Sequence, residues 1–337
     1  MKTVSITIPC RNEEKYIVRC LDSIVSCDFD KSLLKVFVVD GMSTDATREI
    51  VARYVRDHSF IFLVDNVEGV TPFALNLGIQ AGVSEVSFIL GAHAEIYPDF
   101  IQRALEVFDL DENIGCAGGI IEQVNEDDTS EIIAAAMSSS FGVGNAHFRT
   151  GTKEGYVDTV AFGAYKKEVF DKVGYFDEEL VRNQDDEFNF RVIKGGFKIY
   201  LSQKIRSKYY VRGSYSKLYR QYFQYGYWKV FVNQKHKQVT SSRQLVPPIF
   251  VAGLFVGAIG VFLLPIFGIL YSAALLLYLF GALYFAVKQV GVNTKALKVA
   301  ATFFILHFSY GLGYLNGILN FVILNKKPEN RHSALSR

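Results

Sequence analysis

The chain has 337 residues, of which 50% are hydrophobic and 21% are charged. This hydrophobic content excludes a disordered or low-complexity protein, and the length is typical of about two domains. The formal net charge is only +2, from 36 basic and 34 acidic residues, so charge gives no reason to expect a nucleic-acid partner. The four cysteines include no CxxC pair and are too few for a disulfide framework. Reduced thiols in a cytosolic compartment are therefore expected.

The N-terminal part of the chain alternates between strand and helix patterns. Short apolar runs typical of buried strands lie at Val4–Pro9, Val36–Val39, Phe60–Val64 and Val86–Leu90. Helical spacing separates them, at residues 17–25, at residues 45–55 with Ser43 or Thr44 as the cap, and at Pro72–Gly82. This alternation predicts an α/β fold with a mainly parallel sheet that is covered on both faces.

Ligands of such sheets bind at the carboxyl ends of the strands. The polar residues at those ends lie in the segments Arg11–Glu14, Asp40–Asp45, Asp65–Glu68 and Gly91–Glu95. The first of these segments contains no GxGxxG, and no GxxxxGK[ST] or HExxH motif occurs in the sequence. A dinucleotide-binding fold, a P-loop and a zincin site are therefore excluded.

The segment before the hydrophobic C-terminal region mixes aromatic with basic residues. Its cations are Arg212, Lys217, Arg220 and Lys229. Such a mixture can bind single-stranded nucleic acid. The sequence favours instead an interfacial helix at about residues 212–235, with aromatic rings at headgroup depth and cations on anionic lipid or pyrophosphate.

Two long uncharged runs follow, with 41 consecutive residues at 247–287 and 26 at 299–324. A bilayer core of about 30 Å needs roughly 20 apolar residues per helix. We therefore predict membrane spans at about 247–265, 268–287 and 299–324 within a membrane domain, residues 236–337. The N-terminus lacks a signal-peptide pattern, so we expect residues 1–235 to form a cytoplasmic domain.

Three spans leave one conflict with the positive-inside rule. The loop Lys288–Lys298 then lies inside, as its three lysines prefer. The C-terminal tail lies outside although it carries Lys326, Lys327, Arg331 and Arg337. Either the tail violates the rule or the segment 299–324, which contains Gly311, Gly313 and Asn316, is re-entrant. Three spans are the expectation.

Three motifs in this order resemble the family-2 inverting glycosyltransferases with the GT-A fold, which implies a nucleotide-sugar-binding α/β domain with a mainly parallel mixed sheet. They are Ile8–Glu14, Asp40–Asp45 and Gln184–Glu187. Further segments resemble the membrane-bound exopolysaccharide glucosyltransferases typified by succinoglycan biosynthesis, namely Gly91–Ala94 with Tyr97-Pro98, Val157–Thr159, Phe162–Tyr165 and Gln221–Lys229.

This resemblance implies transfer of a hexose from a UDP-sugar to a lipid-linked oligosaccharide. It also implies a multi-pass protein of the inner (plasma) membrane with a cytoplasmic catalytic domain, which works beside membrane lipid and other polysaccharide assembly proteins. Two alternatives stay open. One is a polyprenyl-phosphate sugar synthase, and the other is a catalytically inactive, membrane-tethered protein that binds a sugar nucleotide.

The resemblance also assigns donor-binding residues. Asp40 is the position at which family members accept a hydrogen bond from the uracil N–H, although an Asp before Gly is also a common turn residue. Asp45 is either a donor-site residue or only an acidic residue in the first turn of a helix. Pro9, Arg11 and Glu13 line the same loop, where Arg11 can contact phosphate.

The metal position departs from the family pattern. Typical members place Asp-x-Asp after the fourth strand to hold ribose and Mg²⁺ or Mn²⁺, whereas this chain has Gly91-Ala92-His93. Imidazole can bind Mn²⁺ but suits Mg²⁺ poorly, since hard cations prefer oxygen. Glu95 could compensate for the missing carboxylate. His93 is therefore a metal ligand, a direct contact of the donor or a loop residue.

Asp185 is the candidate general base of inverting transfer. Gln184 replaces the Glu with which the family motif usually begins, and we expect Asp186 and Glu187 to raise the pKa of Asp185. The alternative is an acidic helix N-terminus.

Four further residues are candidates for acceptor binding or for anchoring a loop. Asp158 is one. The others, Gln221, Gln224 and Trp228, loosely match the family's Gln-x-x-Arg-Trp element, without its Arg.

Overall fold

The computed structural model describes residues 2–211, 213–240, 242–263 and 265–327. Three residues used in the predictions of an interfacial helix and of membrane topology lie outside these ranges, namely Arg212, Arg331 and Arg337. The chain divides into two compact units, one of Met1–Gln123 and His147–Tyr210, the other of Val124–Ala146 and Val211–Arg337. Residues 124–146, which the sequence analysis placed in the first domain, thus belong to the second unit.

The described residues form nine strands and thirteen α-helices. The strands are β1 (Val4–Cys10), β2 (Leu34–Asp40), β3 (Ile61–Asp65), β4 (Val86–Ile89), β5 (Ala94–Ile96), β6 (Ile114–Val124), β7 (Gly155–Val157), β8 (Ala161–Lys166) and β9 (Lys198–Tyr210). The helices are α1 (Ile17–Val25), α2 (Thr47–Asp57), α3 (Thr71–Gly82), α4 (Phe100–Val107), α5 (Asp128–Met137), α6 (Ser140–Val143), α7 (His147–Thr150), α8 (Lys167–Val173), α9 (Gln184–Lys194), α10 (Tyr215–His236), α11 (Val246–Gly260), α12 (Pro265–Val290) and α13 (Thr294–Gly317).

The strands of the first unit form one mixed sheet in the order β3-β2-β1-β4-β8-β6-β9-β5, with β7 also paired to β9. β1 is parallel to β2 and β4, and β2 is parallel to β3, which confirms the parallel sheet predicted from the apolar runs. The other half is antiparallel, since β8 pairs in this direction with both β4 and β6. The fold is therefore a mixed α/β sheet, as the family resemblance implies, and the apolar runs located only the strands of its parallel half.

The end of β1 shows why a proline is tolerated inside the sheet. Pro9 has no N–H to donate, so it fits a strand only where one neighbour is missing. β1 pairs with β4 only as far as Thr7, whereas its pairing with β2 continues through Pro9. The strand thus runs past its neighbour on one side and carries the next residues to the edge where ligands bind.

One predicted helix cap is wrong. α2 begins at Thr47 after Ala46, and neither Ser43 nor Thr44 caps it. Asp45 performs the nearest equivalent role, because its Oδ1 accepts a hydrogen bond from the N–H of Thr47 at 3.0 Å. Ser43 is used elsewhere, in the loop that follows β2.

Among its described residues, the second unit contains three segments long and apolar enough to cross a membrane, Ser242–Gly260, Pro265–Val290 and Thr294–Ile323. This confirms the predicted C-terminal apolar helices. α13 is uninterrupted through Gly311 and Gly313 and continues as a π-helix at Ile318–Ile323. The segment 299–324 therefore makes no re-entrant turn of its own.

Two aromatic residues of α10 pack inside the protein, and headgroup depth for its other rings stays a prediction. Tyr227 and Trp228 are each only 1% exposed, and the ring centroid of Tyr227 lies 4.7 Å from that of Phe321. These rings are part of the packed interior of the second unit, because α10 packs along α13.

Candidate active site

The loops that follow β1 and β2 are joined by hydrogen bonds. The N–H of Asn12 donates to Oγ of Ser43 at 2.8 Å, and Oδ1 of Asn12 accepts from the N–H of Thr44 at 2.8 Å. The N–H of Glu13 donates to Oγ1 of Thr47, also at 2.8 Å. Asn12 has a φ of 54°, a left-handed conformation that Asn adopts more readily than most residues. The two predicted donor loops thus form one continuous surface.

Asp40 lies at the end of β2 with its side chain completely buried. Its Oδ2 accepts from the N–H of Ser43 at 2.9 Å and from Nη1 of Arg48 at 2.7 Å, while Oδ1 accepts from the hydroxyl of Ser43. The carboxylate therefore serves a turn and an ion pair, and its contact with a uracil N–H stays a prediction.

Arg48 is a site residue that the sequence analysis missed. Its Nη2 donates to Oδ1 of Asp65 at 2.8 Å, so one guanidinium joins the ends of β2 and β3. Asp40 and Asp65 are register partners in parallel strands. Two adjacent strands that both end in Asp are a signal that a nearby cation is required, and this signal was available in the sequence.

Arg11 lies beside two glycines at the same edge. Its Nη1 donates to the carbonyl oxygen of Gly69 at 3.3 Å. A Cβ on Gly69 would lie 2.8 Å from that nitrogen, and one on Gly41 would lie 3.3 Å from Cδ of Arg11. Gly69 also has a φ of +66°, which favours glycine. The guanidinium is thus placed where the loops after β1, β2 and β3 meet, and its contact with phosphate stays a prediction.

Asp45 bridges the loops rather than pointing away from them. Its carboxylate accepts from the N–H of Thr47 and, at 3.3 Å, from the N–H of Glu14. Burial opposes ionisation, but the hydrogen bonds from Thr47 and Glu14 outweigh it and lower the pKa of Asp45. These contacts are those of a residue at a helix start, and a donor-binding role for Asp45 stays a prediction.

His93 lies beside Glu13, which connects the fourth predicted loop with the first. Nδ1 of His93 is 3.5 Å from Oε1 of Glu13, whose side chain is 3% exposed. The edge of the imidazole also contacts the ring of Tyr209, with centroids 5.0 Å apart. The structure therefore brings two predicted donor-site residues together.

The missing first carboxylate of the metal motif has a structural counterpart. A Cβ on Gly91 would lie 3.2 Å from the ring of Phe162, and Phe162 itself has a φ of +48°. The backbone of Phe162 is thus strained, and its ring lies against the position that a side chain on residue 91 would occupy.

Glu95 is occupied by other partners. The hydroxyl of Tyr210 donates to Oε1 of Glu95, and Nζ of Lys208 lies 3.5 Å from Oε2. Within the described part of the chain, no group of three or more His, Cys, Asp or Glu side chains could hold a metal ion. The residues present do not form a metal centre, so ligation by His93 and Glu95 stays a prediction, and a bound ion would depend on oxygens of the donor.

Asp185 lies in the first turn of α9 and is exposed. Its Oδ1 accepts from the N–H of Asp186 at 2.9 Å. Glu187 is buried and paired with Arg191, with Nε to Oε1 at 2.7 Å and Nη2 to Oε2 at 2.9 Å. The expectation that Glu187 adds negative charge beside Asp185 is therefore wrong, because Arg191 neutralises it.

Asn189 fixes α9 to the sheet and was also missed from the sequence. It is completely buried, accepts from the hydroxyl of Tyr165 at 2.9 Å and donates to Oγ1 of Thr159 at 3.0 Å. Burial, together with the negative charge of Asp185, raises the pKa of Tyr165, whose hydroxyl stays a neutral donor. The exposed Asp158 directly precedes Thr159. The loop before β8 is thus attached to the helix that carries Asp185.

The three predicted residues of α10 belong to the second unit. Gln224 is 3% exposed and Trp228 is 1% exposed, and Nε2 of Gln221 donates to the hydroxyl of Tyr225 at 2.8 Å. Their contacts are those of packing residues, and an acceptor-binding role for them stays a prediction.

The sheet has a parallel half that ends in polar loops and an antiparallel half beside which α9 begins with acidic residues. This arrangement is the GT-A-like fold. Solved structures agree. A mannosyltransferase from Pyrobaculum calidifontis, in complex with GDP-Man and Mn²⁺, has a TM-score of 0.62 at 17% identity, covering 93% of this chain and 87% of its own. TarS 1-349 of S. aureus in complex with UDP-GlcNAc has a TM-score of 0.54 at 16% identity, covering 94% and 92%.

The chain belongs to glycosyl transferase family 2, whose sequence profile matches residues 5–174, and it is a glycosyltransferase. It is 33% identical over 67% of its length to a Methanococcus voltae enzyme, dolichyl N-acetyl-alpha-D-glucosaminyl phosphate 3-beta-D-2,3-diacetamido-2,3-dideoxy-beta-D-glucuronosyltransferase, of which it covers 72%. It is 27% identical over 94% of its length to the succinoglycan biosynthesis protein ExoA of Rhizobium meliloti, of which it covers 95%. Both the family and the glycosyltransferase activity implied by the motifs are confirmed.

Proposed function

We propose that the protein transfers a hexose from a UDP-sugar, with inversion, to a lipid-linked glycan at the cytoplasmic face of a membrane, in the synthesis of a surface polysaccharide. The observation that carries the proposal is the pairing of the donor loops at the carboxyl ends of β1–β4 with apolar helices on the same chain. The name of the Methanococcus voltae relative describes a lipid-phosphate sugar as its acceptor, and ExoA is named for exopolysaccharide synthesis, which supports a membrane-bound acceptor.

The proposed reaction needs a proton acceptor and positive charge beside the diphosphate. Asp185 is exposed in the first turn of α9 and takes the proton of the acceptor hydroxyl as its oxygen attacks C1 of the sugar. The nucleoside diphosphate leaves from the opposite side of C1, so the configuration inverts. Arg11 contacts the diphosphate from the loop after β1, because its guanidinium is exposed there and always charged. A divalent ion, Mn²⁺ or Mg²⁺, would neutralise further charge on the leaving group.

Asp40 contributes base recognition in this proposal. Its Oδ1 accepts only the Ser43 hydroxyl among the contacts described above, and a carboxylate oxygen can accept two hydrogen bonds. Because Asp40 is completely buried and bound by Ser43, a uracil N–H reaches it only when the turn after β2 shifts. Met42 has a φ of 57°, so this turn is already strained.

The test is UDP release by membranes that contain the protein, with a panel of UDP-sugars and a lipid-linked glycan acceptor. Acceptor-dependent UDP release and a lipid product lengthened by one hexose are expected. A single sugar on a lipid phosphate would identify a polyprenyl-phosphate sugar synthase instead. Tight UDP-sugar binding without any release would identify the inactive binding protein, an alternative that Gly91 and Gln184 motivate because both replace carboxylates of the family motifs.

A further inference from the structure

One side of α13 makes polar contacts with other helices of the second unit near both of its ends. Near its start, Nζ of Lys295 donates to Oε2 of Glu131 on α5 at 2.6 Å. Near its end, Nε2 of Gln234 on α10 donates to the carbonyl oxygen of Phe321 at 3.1 Å. At 1.5 Å per residue these contacts are about 39 Å apart along the helix. This exceeds the roughly 30 Å hydrocarbon core of a bilayer.

α10 runs beside the C-terminal part of α13 with the two backbones in contact. A Cβ on Gly226 would lie 2.0 Å from the carbonyl oxygen of Tyr310, and one on Gly313 would lie 2.0 Å from that of Phe223. Phe223 is thus level with Gly313, and Gln234 is level with Phe321. The two helices therefore run in the same direction, and any depth that this part of α13 reaches, α10 reaches too.

α10 is unsuited to the bilayer interior. Within its 22 residues it carries Lys217, Arg220, Lys229 and Lys235, and all of these except Lys229 are exposed. A charged residue at the centre of a membrane helix costs about 2.5–3.5 kcal/mol on insertion scales. α10 therefore stays at the membrane surface, and α13 stays beside it.

The helices α11 and α12 form an antiparallel hairpin of a different character. The hydroxyl of Tyr271 donates to the carbonyl oxygen of Leu254 at 3.2 Å, and the rings of Phe250 and Tyr278 stack at 4.5 Å. The turn between the helices is apolar and exposed, with Phe262 at 90% and Leu263 at 70%. A turn in water on the far side of a membrane would carry polar residues.

The part of the hairpin between its contact with α13 and its turn has the length of half a bilayer, and the rest of the 26-residue α12 continues past that contact. Phe250 lies near the base of the hairpin, where its ring packs 6.3 Å from that of His307 on α13. From there to the turn at Val261 the helix rises about 17 Å, close to half of the roughly 30 Å hydrocarbon core. A hairpin that starts at the surface would place Phe262 near the middle of the bilayer.

We propose that α13 lies in the plane of the membrane surface and does not cross the bilayer. Only the α11–α12 hairpin enters the bilayer, and it returns to the side from which it entered. The partner of this surface is the lipid of a single leaflet. The side of α13 turned away from α5 and α10 presents exposed apolar side chains to that lipid, at Leu297, Phe304, Leu319, Val322 and Ile323. This arrangement goes beyond the proposed function and does not depend on it.

The arrangement removes the conflict with the positive-inside rule. If the hairpin returns and α13 does not cross, Lys326 and Lys327 lie on the same side as Lys288 and Lys295. With three spans, Lys326 would lie opposite to Lys288. The two topologies thus differ in the side on which one named residue lies.

Single-cysteine labelling distinguishes the topologies in the full-length protein. A membrane-impermeant maleimide is added to sealed vesicles, once with right-side-out and once with inside-out orientation. The vesicles contain one of three variants, Val292→Cys, Phe262→Cys or Lys326→Cys. The background is low because Cys10, Cys20, Cys27 and Cys116 are all buried. Val292→Cys, at a loop position that is 90% exposed, serves as the control that reports one face.

We expect Lys326→Cys to react from the same face as Val292→Cys, and Phe262→Cys to react from neither face until detergent is added. Reaction of Lys326→Cys from the opposite face would show that α13 crosses the membrane. Reaction of Phe262→Cys from the opposite face would show that the hairpin spans it. Either result overturns the proposal. Because no sugar transfer is measured, failure of the proposed enzymatic function would leave the labelling pattern unchanged.

Discussion

The guanidinium of Arg48 binds the completely buried carboxylate of Asp40, with Nη1 2.7 Å from Oδ2. Its other nitrogen, Nη2, lies 2.8 Å from Oδ1 of Asp65. Two carboxylates at neighbouring strand ends repel each other, and a single cation shared between them removes that repulsion. The donor end of the sheet is therefore maintained by a residue of α2 that lies outside the family motif.

Arg48→Met should destabilise the protein by about 2 kcal/mol, because it leaves the buried charge of Asp40 without its cation. UDP affinity should fall with it, since the turn after β2 loses its anchor. Thermal unfolding in detergent and UDP titration measure the two effects. Arg53→Met is a matched control on the same helix, where it breaks an exposed ion pair with Glu49 worth about 0–1 kcal/mol. Equal losses in the two variants would contradict this role of Arg48.

Asp185→Asn should abolish hexose transfer and leave UDP-sugar affinity within a few-fold of the parent. The substitution removes the general base, worth on the order of 10²–10⁴ in rate, and leaves the donor loops intact. Turnover and UDP-sugar binding are measured side by side. Asp186→Asn is the control, one residue along the same helix. A larger loss of turnover in the control would assign the base to Asp186.

Metal preference tests the role of His93. If its imidazole ligates the ion, activity should be higher with Mn²⁺ than with Mg²⁺, and His93→Asp should move the ratio toward Mg²⁺. Gly91→Asp should move it in the same direction, provided that the ring of Phe162, 3.2 Å from the added Cβ, shifts by a few tenths of an ångström. Activity that is insensitive to EDTA, or a His93→Asp variant with the parent's Mn²⁺/Mg²⁺ ratio, would remove the ligand assignment and leave His93 as a contact of Glu13.

Asp45 should make the stability of the donor loops depend on pH. Its pKa is lowered in the folded chain, so the ionised form stabilises the fold above the unfolded pKa of about 3.9 and this contribution is lost as the pH falls below it. Asp45→Ala should therefore lower stability at pH 7 by about 1 kcal/mol, as for a lost helix cap. The difference from the parent should shrink near pH 3. A penalty that is constant between these two pH values would show that charge has no part in it.

The parallel half of the sheet was predictable because each of its strands is a short, continuous apolar run between polar loops. The rule that ligands collect at the strand ends also placed His93 and Glu13 in one region, and they lie 3.5 Å apart. An antiparallel part of the sheet was expected only from the family resemblance, and its strands were not located from the residue pattern. Asn189 gave no signal either, because its two partners, Tyr165 and Thr159, lie 24 and 30 residues away along the chain and are defined only once β8 and α9 have packed.

The segment 124–146 shows a different limit. The start of α5 is readable locally, since Asp127 and Ser130 form a reciprocal cap with a regular pattern. The sequence near α5 does not predict that α5 belongs to the second unit, because its partner Lys295 binds Glu131 from 164 residues away along the chain. Local patterns predict helices, whereas long-range partners decide which unit a helix joins.

This separation has a consequence for biosynthesis. α5 leaves the ribosome before β7, β8 and β9, and its partner α13 is made 164 residues later, a delay of roughly ten to thirty seconds at ordinary elongation rates. Ile132 and Ile133, buried in the finished chain, have no α13 to cover them during that time. The strands of the first unit, by contrast, are complete by Tyr210. A nascent chain that has completed its sheet thus still carries an apolar helix without its partner, and exposed apolar surface of this kind favours aggregation unless a membrane or a chaperone covers it.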